Sequence, residues 1–208
     1  NITFNNVSAG SLTLPAFSIF SSSAINGVNY TFVNPNSYTV NTSNNTVTFT
    51  NVEIKQGTTA SYSFTVDSTT NPNYIFEIPD DSIDTSTLQV VVQNSFQNAI
   101  QESYTLSVNA TNVDADARVY YLEENKDGKY QIYFGDGIIG NKLTNGNIVI
   151  ISYLVTSGDV ANGVGIFKPL DVILANSNVA ITTTSVATSG AQPEDIDQIR
   201  FTAPKSYI

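Results

Sequence analysis

The sequence predicts an all-β fold, mainly antiparallel, built as two small sandwich-like or barrel-like units with one short helix near the C-terminus. Val and Ile together number 40 of the 208 residues against nine Leu, and β-branched side chains fit a pleated strand better than a helix. Apolar and polar residues alternate with a period of two in several segments, as in strands with one buried face. Ser, Asn, Gly and Pro recur between these segments and supply turns.

Two hairpins are predicted, each centred on a dipeptide that is typical of two-residue turns with positive φ. Asn26-Gly27 is the first and Asp127-Gly128 the second. Each dipeptide lies between two strand-like segments, which are residues 18–25 and 28–33 for the first turn and residues 119–122 and 130–134 for the second.

Three further strands follow from the pattern of apolar residues. Residues 61–66 and 103–108 alternate strictly, so each segment is predicted to be a half-buried strand. Residues 148–155 are apolar on both faces and too few to span a membrane, which indicates a central strand covered on both sides.

One helix is predicted close to the C-terminus. Pro193 suits a first helical turn, Glu194 and the following Asp complement the positive end of the helix, and Pro204 ends it. Residues 95–102 are a second, shorter candidate for a helix.

The polar, proline-containing segment 67–73 suggests a division of the chain. We expect an N-terminal β domain at residues 1–73 and a second β domain at residues 74–188. Residues 189–208 are then the helical start of a following segment.

Composition excludes several classes of function. Without Cys, His, Met or Trp, the chain cannot form disulfides, a Ser-His-Asp triad, a His/Cys zinc site or haem ligation. Any catalysis must therefore use carboxylates, Lys, Tyr or hydroxyls, and we expect no cofactor and no enzyme. A formal net charge of -10 opposes nucleic acid, whose phosphates need clustered Lys and Arg. No apolar run is long enough to cross a membrane, and no signal peptide is visible, so we expect no membrane partner.

Residues 135–140 formally match the dinucleotide-binding pattern G-x-G-x-x-G. That site also needs a helix opening at the last glycine, whereas residues 141–147 carry another turn signal before a strong strand. A glycine-rich connection between strands is therefore the favoured interpretation.

Acidic residues are clustered in four places, most of them beside turn or cap residues, so solvated loops or caps are the favoured interpretation. A weak Ca²⁺ site and a glycosidase-type carboxylate pair remain alternatives. The clusters lie within residues 80–84, 114–116, 123–127 and 194–197.

A family resemblance is carried by residues 133–153. The run Y-F-G-D-G, then a glycine, an Asn-Gly pair and a hydrophobic strand ending in Tyr resembles the central signature of baseplate J-like proteins, the wedge subunits of contractile phage tails. Residues 14–30, 160–163 and 189–200 resemble other segments of that family in the same order. The Thr- and Asn-rich composition is similar to that of the family members in T-even-like phages. The family-like structural motif comprises Phe134, Gly135, Asp136, Gly137, Gly140, Gly146, Tyr153, Asn162 and Gly163.

The resemblance implies a structural subunit of the virion, assembled in the host cytoplasm, in the tail baseplate. Such a subunit forms the inner baseplate ring by associating with itself and with other wedge proteins, and rearranges when the sheath contracts. The alternative is a surface or fibre β module that binds carbohydrate, which the 11 Tyr and the many Asn, Thr and Ser residues also suit.

Overall fold

The computed structural model describes residues 1–109, 113–170 and 179–192. Within these ranges the chain is all-β and mostly antiparallel, as predicted, with sixteen strands and no helix. The helix expected from Pro193 onward lies outside the described residues. The strands are β1 (Ile2–Asn5), β2 (Ser11–Leu14), β3 (Ile19–Ser22), β4 (Thr31–Val33), β5 (Tyr38–Asn41), β6 (Thr46–Phe49), β7 (Lys55–Gln56), β8 (Thr58–Thr65), β9 (Phe76–Glu77), β10 (Ile83–Gln93), β11 (Gln101–Leu106), β12 (Val119–Glu124), β13 (Tyr130–Phe134), β14 (Ile148–Val155), β15 (Phe167–Pro169) and β16 (Val179–Ile181).

Contacts divide the chain into two compact units. Unit 1 consists of Asn1–Thr58 together with Thr156–Ile208, and unit 2 is Thr59–Val155. Unit 2 is thus inserted in the sequence of unit 1. These boundaries, after residues 58 and 155, differ from the domain boundaries at residues 73 and 188 that the sequence suggested. The suggested domains stay a prediction.

Unit 2 contains one nearly closed, barrel-like sheet of seven strands in the order β8-β14-β10-β11-β12-β13-β9. The long strands β10 and β14 pair antiparallel, with an irregularity between Asp84 and Gln89. There the hydroxyl of buried Thr87 accepts a hydrogen bond from Leu154 N at 3.0 Å and donates one to Asp84 O at 2.7 Å. The hydroxyl thereby satisfies one backbone N–H group and one backbone C=O group within the irregular part of the ladder.

The core of unit 2 is aromatic and β-branched. Phe134 packs edge-on against Tyr104, with ring centroids 5.4 Å apart, and against Phe76 at 6.0 Å. Burial of such residues is the main stabilising term for a sheet that curls around its own core. The buried members are Val66, Phe76, Ile78, Val90, Val92, Tyr104, Tyr120, Ile132, Phe134, Leu143, Val149, Ile151 and Tyr153.

Unit 1 is built from shorter strands in three sheets, with the orders β16-β1-β6, β15-β3-β4-β7 and β2-β5. Its core is separate from that of unit 2, and Phe4 and Phe49 meet edge-on within it at 5.8 Å. Its buried members are Ile2, Phe4, Val7, Leu14, Phe20, Phe32, Val47, Phe49, Ala161 and Val164.

Both predicted hairpins form, but only one has the predicted turn. Asn26 (φ 52°) and Gly27 (φ 82°) are both left-handed, and Ile25 and Val28 bridge across the turn. In the second hairpin only Gly128 has a positive φ, of 80°. Asn125 N bonds to Lys129 O at 2.7 Å, so three residues form the loop and the glycine occupies its bulge position.

Three other expectations need correction. Residues 95–102 form no helix, because they close the hairpin in which Gln93 pairs with Gln101. The alternating segment 103–108 forms a strand only to Leu106, and Val108 is 89% exposed. Strand β14 is central, as predicted, but it is not fully covered on both sides: Val149, Ile151 and Tyr153 are buried on one face, whereas on the other face only Leu154 is buried.

Candidate functional site

The glycine-rich loop of unit 2 begins where the core ends. Buried Phe134 closes β13, and Gly135 follows it. A Cβ atom at Gly135 would lie 2.2 Å from the carbonyl carbon of Gly140 and 2.5 Å from Ile139 O. Two backbone segments pass so closely here that only glycine fits.

Asp136 caps this loop. Its Oδ1 accepts hydrogen bonds from Ile138 N at 2.8 Å and Ile139 N at 3.0 Å. Gly137, at φ 91°, donates its N–H to Gly140 O at 3.0 Å. The two backbone N–H groups, aided by nearby Lys142, hold the pKa of Asp136 below its usual value of 3.8, so the cap is charged at neutral pH.

Gly140 anchors the loop to the segment that precedes β12. It has φ 84° and donates its N–H to Asp114 O at 3.1 Å, and Asn141 N bonds to Ala117 O at 2.8 Å. A Cβ atom at Gly140 would meet Val119 Cγ2 at 2.9 Å. The backbone path of the loop is therefore fixed at both ends.

The loop has none of the structure of a dinucleotide site. Gly135 bridges to Lys142, and no helix opens at Gly140, because a turn at Asn145-Gly146 leads directly into β14. At its tip the loop instead exposes two apolar side chains, Ile138 at 77% and Ile139 at 39%. The favoured interpretation, a glycine-rich connection between strands, is the one the structure has.

Gly146 and Tyr153 belong to the same unit but not to the loop itself. Gly146, at φ 89°, donates its N–H to Val66 O at 2.9 Å and so fixes the turn before β14. Tyr153 is fully buried, and its hydroxyl donates to Asp80 Oδ2 at 2.6 Å. Burial first, and then the hydrogen bond to Asp80, raise the pKa of Tyr153 above its ordinary range, so the hydroxyl is a permanent donor.

Asn162 and Gly163 lie in unit 1, in a turn that the side chain of Asn162 ties to Gly190. Asn162 Nδ2 donates to Gly190 O at 2.9 Å, and Gly190 N donates to Asn162 Oδ1 at 3.0 Å. Gly163, at φ 91°, bonds through its N–H to Ala187 O at 2.8 Å. The predicted motif residues therefore fall into two groups, one in each unit.

Two polar side chains that form structural hydrogen bonds could hardly be recognised from the sequence. Asp80 stood among clustered carboxylates, and only the fold reveals that it accepts the bond from Tyr153. Asn34 is fully buried in unit 1, where its Nδ2 bonds to Pro15 O at 2.8 Å and Asn36 O at 2.7 Å. Its place beside a proline in the run N-P-N was the one local hint of a fixed turn.

The described ranges contain no group of three or more acidic residues placed to hold a metal ion. Within the first of the acidic clusters, Asp84 Oδ1 accepts a hydrogen bond from Ser86 N at 3.0 Å, and Asp80 accepts one from the hydroxyl of Tyr153. No helix able to cross a membrane occurs among the residues that were searched.

Comparison with known proteins gives two matches to one kind of protein. Residues 64–156 match the family described as bacteriophage baseplate wedge protein gp6, third domain. This range lies almost entirely within unit 2, Thr59–Val155. The chain is also 34% identical over 104 residues to baseplate wedge protein gp6 of Enterobacteria phage T4.

That second alignment covers 39% of this chain and 16% of the phage T4 protein, so the chain spans only a small part of its relative's length. The two matches support a structural role in a phage baseplate and suggest a non-enzymatic one. They indicate a component of the virion, in the tail baseplate, whose unit 2 is similar to the third domain of gp6.

Proposed function

We propose that this chain is part of a baseplate wedge subunit that builds the inner baseplate ring. In this proposal the subunit associates with copies of itself and with other wedge proteins, and these contacts are remade when the tail sheath contracts. The observation that carries the proposal is the match of residues 64–156 to a wedge-protein domain. Membership of the baseplate J-like family, indicated by the order of the sequence motifs, is part of the same proposal.

The geometry supports a mechanical role for the motif residues. In unit 2, Gly135, Asp136 and Gly140 use their backbone or carboxylate groups to fix one loop. In unit 1, Asn162 does the same for a turn. Groups that are fully engaged in local hydrogen bonds hold a surface in shape, which a ring subunit needs in order to present constant contacts to its neighbours.

The apolar tip of the loop supports a role in contacts. Ile138 and Ile139 are exposed on a segment whose backbone is fixed by Asp136. A rigid loop that exposes apolar side chains loses little entropy when a partner covers it. We propose that this tip meets another protein of the baseplate.

The test is co-expression of the complete reading frame that contains this chain with the other wedge proteins of the same phage. The unmodified protein should co-purify with them and form rings that are visible by electron microscopy. Gly137→Val places a β-branched residue at φ 91° and should reduce ring formation. Gly10→Val is the matched control, since a Cβ atom at Gly10 meets nothing within 4 Å and its φ is not positive.

Two results would contradict this proposal. One is a protein that never associates with wedge proteins, and the other is a Gly137→Val variant with unchanged stability and unchanged rings. Binding to a glycan array would instead favour the carbohydrate-binding alternative. That alternative draws little support from the described part of the chain, where Tyr62, at 43% exposure, is the one exposed tyrosine available for stacking on a sugar.

A further inference from the structure

Strand β8 is an unusually long open edge. It ends the seven-stranded sheet of unit 2 and has a strand neighbour, β14, on one side only. It has eight residues, whereas β9 at the other end of that sheet has two, and the end strands of the other described sheets have at most four. All of its residues are exposed except Ala60 and Phe64, which are half-buried.

The direction of its backbone groups follows from its pairing with β14. Val66, directly after the strand, donates to Asn147 O at 2.8 Å and accepts from Gly146 N at 2.9 Å. Farther along, the hydroxyls of Ser61 and Ser152 are 3.1 Å apart, so the two strands run antiparallel without a slip. Since these directions alternate along a strand, the N–H and C=O groups of Thr59, Ser61, Ser63 and Thr65 point away from β14.

This edge lacks the usual protection against pairing. Natural edge strands carry charges, proline or bulges that prevent association with another chain. From Gln56 to Val66 there is no charged residue and no proline, in a chain whose formal net charge is -10. The longest open edge among the described strands is therefore also free of charge repulsion.

We propose that β8 pairs with β8 of a second copy of this chain, antiparallel, with Tyr62 opposite Tyr62 on a twofold axis. In this register Thr59 pairs with Thr65 and Ser61 with Ser63. All four residues direct their backbone groups outward, so each would exchange both hydrogen bonds with its partner. Threonine pairs and aromatic pairs are favourable cross-strand neighbours, and Tyr62 is 43% exposed and available.

A second copy suits this edge because the register is self-complementary. Twofold pairing brings the same segment to both sides, and no like charges then face each other. The proposal rests on the self-association in the proposed function and adds the surface that performs it. A strand from a different protein is the competing occupant, and the experiment separates the two.

The first experiment is sedimentation velocity of the 208-residue chain over a range of concentrations. The unmodified chain and Tyr62→Phe should form dimers. Tyr62→Lys and Tyr62→Glu each place like charges opposite each other and should weaken dimerisation at least tenfold. An equimolar mixture of these two variants should recover the dimer, because Lys then faces Glu across the axis.

The second experiment is amide hydrogen exchange followed by NMR. The amides of Thr59, Ser61, Ser63 and Thr65 should become protected as the concentration rises, whereas those of Ala60, Tyr62 and Phe64 are protected by β14 at every concentration. Ser63→Pro removes an outward N–H group and should abolish dimers, while Ser63→Ala should keep them.

The outcomes distinguish this inference from the proposed function. If the chain dimerises but the Tyr62 and Ser63 variants leave dimerisation unchanged, another surface is used and the β8 inference is overturned. If the chain stays monomeric yet its parent protein joins wedge proteins, the β8 inference fails and the structural role stands. If the outward amides become protected only when another wedge protein is added, a different protein occupies this edge and the inference is again overturned.

Discussion

The two units close their cores in different ways. Unit 2 uses one sheet, whose central strands β10 and β14 have eleven and eight residues. Unit 1 uses three sheets, whose described strands have two to four residues, so its connections contribute core residues such as Val7 and Ala161. The difference teaches that one long sheet places the contacts on which its stability depends at few positions, whereas several short-stranded sheets distribute them over many positions.

The largest expected effect on stability is at Gly135 in unit 2, where the backbone passes very close to Gly140. Gly135→Ala would force the segment at Gly140 to move, and we expect a loss of about 4 kcal/mol or more in the free energy of unfolding. Gly10→Ala in unit 1 meets no atom within 4 Å and should change stability by less than about 1 kcal/mol. Urea unfolding of both variants measures the difference. Equal effects would break the comparison.

Matched leucines compare the two cores directly. Leu14 in unit 1 and Leu143 in unit 2 are both buried, at 0% and 2% exposure. Each Leu→Ala change should cost about 2–5 kcal/mol. We expect Leu143→Ala to be near the upper end, because the continuous sheet around it relaxes less into the cavity. Hydrogen exchange of core amides in each unit reports the local loss, and a clearly larger cost at Leu14 would contradict the comparison.

A smaller effect is expected at the buried hydroxyls of unit 2. Tyr153→Phe removes the donor to Asp80 and should cost about 1–2 kcal/mol. Tyr121→Phe is the control, because the buried hydroxyl of Tyr121 has no hydrogen-bond partner among the described residues, and its removal should be neutral or stabilising. Thermal unfolding of the two variants checks this, and the reverse order would show that the Tyr153 bond stabilises little.

The smallest effect concerns the loop caps and pH. Asp136 in unit 2 has a lowered pKa, so its cap contributes stability above its unfolded pKa near 3.8 and loses it as pH falls through the lower folded value. Asn162, which caps the turn in unit 1, is neutral and should show no such dependence. NMR titration should place the Asp136 pKa below 3.8, and Asp136→Asn should remove this part of the acid sensitivity. A pKa of Asp136 at or above 3.8 would contradict the capping account.

Long regular patterns made the strands of unit 2 predictable. Five of the eight residues 148–155 are Val or Ile, and the segment forms the interior strand β14. The left-handed Asn26-Gly27 turn was predictable as well, because few other dipeptides adopt it without strain. Residues 95–102 misled because a segment this short that closes a hairpin cannot be told from a short helix by sequence pattern alone.

The glycines and Asp136 of the loop could be selected from the sequence, but the contacts that Gly135 and Gly140 make could not. The approach of Gly135 to Gly140 depends on how the loop folds back on itself, and the bond from Gly140 N to Asp114 O joins residues far apart in the chain. Such contacts depend on the tertiary fold of unit 2, as does the Tyr153–Asp80 bond. The insertion of unit 2 within unit 1 was also invisible, since no change in composition marks Thr59 or Val155.

The most direct test of the structural account is to locate the protein in the particle. Gold-labelled antibodies raised against this 208-residue chain should bind, in electron micrographs of phage particles with opened tails, at the baseplate end of the tail. Labelling confined to the head, to the fibres or to no part of the particle would contradict a role in the baseplate.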